Sequence, residues 1–227
     1  MPNSGAVLPI AETFSSIQGE GTWVGTPMRF IRLAGCNVGR PAKALKVEGP
    51  LPILPTGAEA SYCSTWDGRI FPCDTDYNKH EMRSLSELID EVWEQHICLT
   101  GGEPFLHANH FLELAELAFN RNIKVHVETS GTIRHAAPVG WWITCAPKIG
   151  ADDRVIEFAD ELKFLVDDSF HPDNLTPTMR GHSNVFLSPI NGIDNVNQHN
   201  AELCLQWLRK FPNWRLSAQW HKFLGLR

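Results

Sequence analysis

From Ser84 onward the chain alternates short apolar runs with segments whose apolar residues recur at helical spacing, and this alternation narrows the fold more than any other feature. Ser84 and Glu87 make a capping-box pattern. Behind them Leu85, Leu88, Ile89, Val92 and Trp93 follow the rhythm of one helix face. The run 97–100 predicts a strand ending at Gly101-Gly102, and a second helix is expected over 110–121 with Phe111, Leu114, Ala115 and Ala118 on one side. Further strands are expected at 123–129, 141–145, 162–166 and 184–189, then a helix near 198–210 and a last strand at 214–219. Upstream, 28–34 reads as a strand running into Gly35 and Cys36. Strands alternating with helices make a parallel sheet with crossover helices. With about six strands the expected class is α/β, an open, partial (β/α)6 barrel rather than a closed eight-stranded one. Ligands of such sheets sit at the carboxyl ends of the strands. Cys36, Thr100-Gly101-Gly102-Glu103 and Glu128-Thr129 fall there.

Residues 37–60 break the pattern. Pro41, Pro50, Pro52 and Pro55 with Gly39, Gly49 and Gly57 exclude one regular element, so this stretch reads as a long loop. A chain of 227 residues fits a single domain, 1–227, with 37–72 as an enlarged loop inside it. The formal charge of −6 gives no global basic field, which points to a small-molecule substrate rather than nucleic acid. The opening MPNSGAVLPI lacks the charged and apolar regions of a signal peptide, and no apolar run reaches bilayer length. The expectation is a cytoplasmic protein without a membrane partner, in which thiols stay reduced. Six cysteines then read as metal ligands plus buried thiols rather than as a disulfide framework.

Cys36 follows a strand, and Cys63 and Cys73 lie downstream across the loop. Three thiolates can hold three irons of a [4Fe–4S] cluster and leave the fourth open. They can equally form part of a Cys3His zinc knuckle with His80 or His107 as the fourth ligand. Cysteines alone leave both metals open. Thr100-Gly101-Gly102-Glu103-Pro104, placed between a strand and a helix, favours the cluster: two glycines let backbone approach a ligand closely, and the acidic side chain can accept from an ammonium group. Cys98, Cys145 and Cys204 sit among apolar neighbours and read as small buried hydrophobes.

With the three-cysteine loop and the Gly-Gly-Glu-Pro turn, the chain resembles the radical S-adenosylmethionine superfamily. The flanks carry a closer resemblance. Ser16-Ile17-Gln18-Gly19-Glu20-Gly21, Arg29 through Asn37, Cys73-Asp74-Thr75-Asp76, Glu128 through Thr132, Ala146-Pro147-Lys148, Trp214 through Gln219 and His221-Lys222 occur in an order similar to that of the 7-carboxy-7-deazaguanine synthase family, from about residue 10 to the end. That resemblance implies a carbon–nitrogen lyase of queuosine-type deazapurine biosynthesis. It would turn 6-carboxy-5,6,7,8-tetrahydropterin into 7-carboxy-7-deazaguanine with loss of ammonia, using a [4Fe–4S] cluster, S-adenosylmethionine and Mg²⁺. The radical would take hydrogen from the carbon bearing the substrate carboxylate.

Carried over by position, the resemblance implies that Cys36, Cys63 and Cys73 hold the cluster and that the Thr75 hydroxyl meets Mg²⁺. Pro72, Asp74, Gly101, Gly102, Glu103, Ser130, Ala146, Pro147, Lys148, Ser188, Pro189, Ile190 and Asn191 would line the cofactor. Ile17, Gln18, Gly19, Glu20, Arg32, Thr100, His221 and the terminal residue Arg227 would line the substrate, with Arg32 on its carboxylate. A homodimer and an electron donor such as flavodoxin are the implied partners. The cysteine spacing departs from the superfamily's usual three and two intervening residues: 26 separate Cys36 from Cys63 and nine separate Cys63 from Cys73. A radical activase that makes a glycyl radical on a partner protein, and a zinc-knuckle binding module, are the alternative readings.

Overall fold

The computed structural model describes residues 5–41, 61–73, 80–191 and 196–226. Its main body is a nine-stranded sheet. The strands are β1 (Val7–Ile17), β2 (Pro27–Leu33), β6 (Glu81–Ser84), β7 (His96–Gly101), β8 (Lys124–Thr129), β9 (Trp142–Cys145), β10 (Glu161–Val166), β11 (Val185–Pro189) and β12 (Arg215–Leu216). Their spatial order is β12-β11-β10-β9-β8-β7-β2-β1-β6. From β2 to β12 every pairing is parallel, while β1 runs antiparallel to both β2 and β6. The expected open α/β barrel is therefore present, with an antiparallel edge added. A second sheet, β3-β4-β5, is built from β3 (Arg40–Pro41), β4 (Ser61–Ser64) and β5 (Ile70–Pro72).

Side chains alternate across each strand, so every strand gives one set to each face. One face carries Ile31, Leu33, Ile97, Leu99, Val125, Val127, Ile143, Leu162, Phe164, Val185 and Leu187, all buried in one core. Helices cover it. Helix α1 (Leu85–Asp90) starts with the expected capping box, in which Ser84 and Glu87 satisfy each other's backbone amides. Helix α2 (Phe111–Asn120) buries Phe111, Leu114 and Ala118, and α5 (Gln198–Lys210) buries Cys204. Helices α3 (Asp153–Phe158) and α4 (Pro177–Gly181) complete the layer, and α6 (Trp220–Phe223) lies near the end of the chain. The opposite face is lined at its centre by polar residues, and it is where the site forms.

Four expectations need correction. β1 is absent from the sequence reading because Pro9 argues against a strand paired on both sides, and a register shift between Ile10 and Glu12 breaks the alternation that would have revealed it. The first helix ends at Asp90, where the chain turns toward β7, so Trp93 is 92% exposed instead of extending the buried face. The last strand is two residues, Arg215–Leu216, rather than six. Within 37–72, residues 61–72 are not loop but the β4–β5 hairpin. Residues 42–60 lie outside the described residues.

The amino ends of the strands are closed by aromatic packing. Trp23 lies 5.3 Å from the His96 ring, 5.1 Å from His126 and 5.6 Å from Trp142. His96 Nδ1 and His126 Nε2 are 2.8 Å apart, so one ring donates to the other. Burial pushes both imidazoles down, His126 to about 4. Both are neutral in the fold, while the unfolded chain takes up protons below its ordinary histidine pKa of about 6.5. Stability therefore falls as pH drops from about 6.5 toward 4, by about 3 kcal/mol from His126 alone. Urea unfolding of the metal-free protein between pH 7 and pH 4.5 should trace this fall, and His126→Phe should flatten it. An unchanged slope in that variant would assign the acid sensitivity elsewhere.

Candidate active site

The loops at the carboxyl ends of the strands are stitched to one another through backbone. The Gly102 amide donates to the Leu33 carbonyl at 2.8 Å and the Glu103 amide to the Gly35 carbonyl at 2.9 Å. A Cβ placed on Gly102 would lie 1.8 Å from the Gly35 oxygen, and Gly101 has a φ of +94°. The paired glycines are thus required by the turn that precedes Cys36, whatever ligand they also meet. The Ala146 amide donates to the Thr129 carbonyl at 2.9 Å and the Lys148 amide to the Ser130 carbonyl at 3.0 Å. Cys36, Gly101, Gly102, Glu103, Ser130, Ala146, Pro147 and Lys148 therefore gather at one mouth, as the parallel sheet requires.

Glu103 has a structural role at this mouth. Its side chain is fully buried and accepts four hydrogen bonds from the protein itself. Oε1 takes the Phe105 amide at 3.0 Å and the Thr129 hydroxyl at 2.8 Å, and Oε2 takes the Ser130 amide at 2.8 Å and the Ser130 hydroxyl. The carboxylate braces the β8 turn against the β7 turn.

None of the six cysteines is in a disulfide. Cys98, Cys145 and Cys204 are fully buried, and burial pushes their thiols up, Cys204 to about 12. Cys36, Cys63 and Cys73 are partly exposed. The Gly39 amide donates to the Cys36 sulfur at 3.2 Å, the kind of N–H···S contact that supports a metal-bound thiolate. Cys63 pairs directly with Phe71 across the β4–β5 hairpin. Opposite residues share a face, and so do residues two apart on one strand. Cys63 and Phe71 therefore look the same way, and Cys73 follows directly after the end of β5, so the hairpin brings the two cysteines to one end of the small sheet. Lys148 stands against that face, its Nζ 4.7 Å from the Phe71 ring centre. Burial lowers the Lys148 pKa, and the nearby Cys63 and Cys73 sulfurs oppose that shift. Partly exposed thiols, with an amide donor at Cys36, suit an iron–sulfur group better than the buried thiols do. His107, one of the two proposed zinc ligands, instead contacts the Ala34 carbonyl through Nε2 at 3.2 Å. Among the described residues no group of three or more metal-binding side chains is drawn tightly enough to hold an ion.

Below the mouth, a row of polar residues crosses the concave face. Arg32 pairs with Thr100, Glu128 with Thr144, and Thr144 with Glu161 in the strand register. The Thr100 hydroxyl donates to Glu128 Oε2 at 2.8 Å, and Gln18 Nε2 donates to Glu128 Oε1 at 3.2 Å. The Thr144 hydroxyl donates to Glu161 at 2.8 Å. Arg32 lies 3.4 Å from a Glu12 oxygen and 5.5 Å from the Phe14 ring.

Residues 18–22, which follow Ile17 at the end of β1, cross this face. Lys163 donates to Glu20 Oε2 at 2.5 Å and the Ser188 hydroxyl to Glu20 Oε1 at 2.9 Å. Burial raises the Glu20 pKa, but the Lys163 charge and both hydrogen bonds outweigh it and hold the carboxyl below its usual value. Lys163 is pushed up by the same pairing, against its own burial. Gly19 passes under His221, where a Cβ would meet Nδ1 at 1.9 Å, and its carbonyl accepts the Trp220 amide at 3.1 Å. Burial lowers the His221 pKa. Gln18, Gly19, Glu20, Arg32, Thr100, His221 and Ser188 thus sit around one concave face, while Ile17, opposite Pro27 at the end of β1, falls by strand alternation on the other side from Phe14 and Ser16. Pro189 is buried, the Ile190 carbonyl accepts from Asn200, and Asn191 Oδ1 accepts the Asn197 amide, so these three secure the β11 turn. Pro72 is placed by its backbone at the end of β5. Asp74, Thr75 and Arg227 lie outside the described residues.

Sequence reasoning placed Glu128 at the ligand end of its strand without giving it a role, and it missed Lys163 and Glu161. The signal was present: each is a charged residue inside a short strand whose neighbours are buried. Such a residue is retained only where the opposite face is polar.

No family model matches the chain. Among curated proteins it is 30% identical over 238 residues to a 7-carboxy-7-deazaguanine synthase of Buchnera aphidicola subsp. Schizaphis graminum, covering 96% of this chain and 99% of that protein. It is 28% identical over 246 residues to a protein of the same name from Escherichia coli K12, covering 96% and 98%. The chain is also 31% identical over 237 residues to one from Bradyrhizobium diazoefficiens, covering 96% and 98%. Among solved structures, the crystal structure of QueE from Escherichia coli matches with a TM-score of 0.65 at 25% identity and covers 95% of each chain.

The buried pair beneath the mouth gives a direct test. Lys163→Met leaves the Glu20 carboxylate without its counter-charge, an expected cost of about 3–5 kcal/mol in urea unfolding of the metal-free protein at pH 7. Adding Glu20→Gln should recover a large part of it. A loss below about 1 kcal/mol would put the pair in solvent.

Proposed function

The chain belongs to the 7-carboxy-7-deazaguanine synthase family, and from that premise we propose that it converts 6-carboxy-5,6,7,8-tetrahydropterin into 7-carboxy-7-deazaguanine with release of ammonia. Family membership makes it a radical S-adenosylmethionine enzyme that uses a [4Fe–4S] cluster and acts on a small molecule. The observation that carries the substrate reading is the junction of two features. The Cys36 and Gly-Gly-Glu turns meet at the mouth, and below them lies a row of charged and hydroxyl groups that offers hydrogen bonds to a polar heterocycle.

Cys36, Cys63 and Cys73 would hold the cluster. Bound there with S-adenosylmethionine, it supplies a carbon-centred radical for hydrogen abstraction. Gly101, Gly102, Ser130, Ala146, Pro147, Lys148 and the Ser188–Asn191 turn would seat S-adenosylmethionine, with Glu103 holding the first two loops in register. Arg32 would leave Glu12 to pair with the substrate carboxylate, a task suited to a guanidinium fork. Glu128 would accept from the N–H edge of the pterin. The Gln18–Glu20 backbone and His221 would close the pocket on its other side. Thr75 would offer a hydroxyl to Mg²⁺, a hard ion that favours oxygen. An electron donor such as flavodoxin would reduce the cluster at the exposed mouth. A homodimer fits the exposed Trp220, Phe223, Leu224 and Leu226 near the chain end. No described helix is long and apolar enough to cross a membrane, and a cytoplasmic setting suits reduced thiols. The near full-length relatives favour this reading over a glycyl-radical activase or a zinc knuckle.

The test is anaerobic. Reconstituted protein is given reductant, S-adenosylmethionine, Mg²⁺ and substrate deuterated at the carbon bearing the carboxylate. The expected outcome is 7-carboxy-7-deazaguanine, with deuterium passing into 5′-deoxyadenosine or the cofactor methylene. Cleavage of S-adenosylmethionine without product would reject the pterin. For the ligand set, Cys63→Ala should lose its cluster iron while Cys204→Ala keeps it. Normal iron in the Cys63 variant would remove that residue from the set.

A further inference from the structure

One side chain of the hairpin that carries Cys63 and Cys73, that of Arg69, bonds it to the barrel at the far end of β10. Its connection, Thr65 to Arg69, first knits itself: the Thr65 amide donates to the Arg69 carbonyl at 2.8 Å, the Gly68 amide to the Thr65 carbonyl at 3.1 Å, and the Arg69 amide to the Thr65 hydroxyl oxygen at 3.0 Å. Gly68, at a φ of +87°, allows the turn. The guanidinium of Arg69 then reaches three acceptors. Nε donates to both Asp67 oxygens at 3.0 Å, within the turn. Nη1 bonds Asp167, just past the end of β10, and Nη2 donates to the Leu165 carbonyl at 3.2 Å, within β10. The side chain is 17% exposed, and its partners Asp67 and Asp167 are 15% and 33% exposed. One rigid, planar donor group thus ties the tip of the hairpin to the carboxyl end of a strand almost a hundred residues downstream. Trp66 packs against the main core beside it, and Phe71 lies under Lys148.

We propose that Arg69 is a positioning residue for the iron–sulfur site: by clasping the hairpin tip to β10 it fixes the face that presents Cys63 and Cys73 toward the mouth. The inference rests on the cluster assignment made above. It also accounts for the irregular spacing. A short cysteine loop is held by its own tight turns, whereas two thiols displaced onto a hairpin need an external tether. Lysine cannot replace the arginine, because a single ammonium cannot span Asp67, Asp167 and the Leu165 carbonyl at once.

Two readouts on the full chain separate the clasp from its consequence. Hydrogen exchange of the metal-free protein reads the clasp: Arg69→Leu should exchange the amides of 61–72 roughly ten-fold faster, with the β7 and β8 amides unchanged. Iron loss to a chelator after anaerobic reconstitution reads the consequence. The variant should lose its cluster roughly ten-fold faster and show a larger [3Fe–4S] signal by electron paramagnetic resonance. Arg69→Lys should not restore either value. Asp167→Asn, which keeps the arginine and the fold, should move both in the same direction by less. Unchanged exchange in 61–72 would overturn the proposal, and so would faster exchange with wild-type cluster retention. Cys63→Ala, run in parallel, isolates the underlying assignment. If it retains full iron while Arg69→Leu still loosens the hairpin, the ligand assignment fails and the positioning role falls with it.

Discussion

The close approach of Gly101-Gly102-Glu103 to Leu33-Ala34-Gly35 is the contact from which the active end of this protein is built. Two parallel strands, β2 and β7, end side by side, and their turns are joined by amide-to-carbonyl bonds of 2.8 and 2.9 Å. No side chain fits between them at position 102. Glu103 extends the joint to the next strand by filling both its oxygens with donors from Phe105, Thr129 and Ser130. Ser130 in turn anchors Lys148. A chain of backbone contacts thus sets Cys36, the glycine turn and the Ala146–Lys148 turn relative to one another before any ligand arrives. Such preorganisation leaves little reorganisation for binding to supply.

Beneath this frame the concave face is charged, and its charges are matched. Burying Glu20 or Lys163 alone would be costly. Together, with Ser188 donating to the carboxylate, they form a pair whose mutual attraction outweighs the burial of the carboxylate. The pair also fastens residues 18–22 across the sheet, since Gly21 donates to Ser217 and Thr22 to Glu161 at 3.1 and 2.9 Å. The segment that closes the pocket is therefore held by the same polar residues that line it. Glu128 and Arg32 stand at the other end of the row, one tied by Thr100 and Gln18, the other beside Glu12.

Much of this was legible in the sequence. The parallel strands, most of the covering helices and the loops that meet at the mouth follow from apolar periodicity and from glycines placed after strands. The polar row was less visible, because alternation within a six-residue strand such as ELKFLV does not reveal which face meets solvent and which meets a pocket. β1 was hidden by Pro9 and by the slip after Ile10. The β4–β5 hairpin was hidden because its strands are short and pair locally, and because the acceptors that Arg69 reaches on β10 are distant in sequence. Glu103 reads in sequence as a ligand acceptor, but its neighbours Thr129 and Ser130 occupy it, which only the fold brings about.

The central claim is that Cys36, Cys63 and Cys73 carry one open-coordinated cluster above this pocket. The most direct measurement is electron paramagnetic resonance of the anaerobically reconstituted, reduced chain, recorded with and without S-adenosylmethionine beside iron and sulfide analysis. The account predicts about four irons and four sulfides per chain and a reduced [4Fe–4S] signal whose g values shift when S-adenosylmethionine reaches the open iron. A colourless protein holding zinc without sulfide, or a cluster whose signal ignores S-adenosylmethionine, would contradict it.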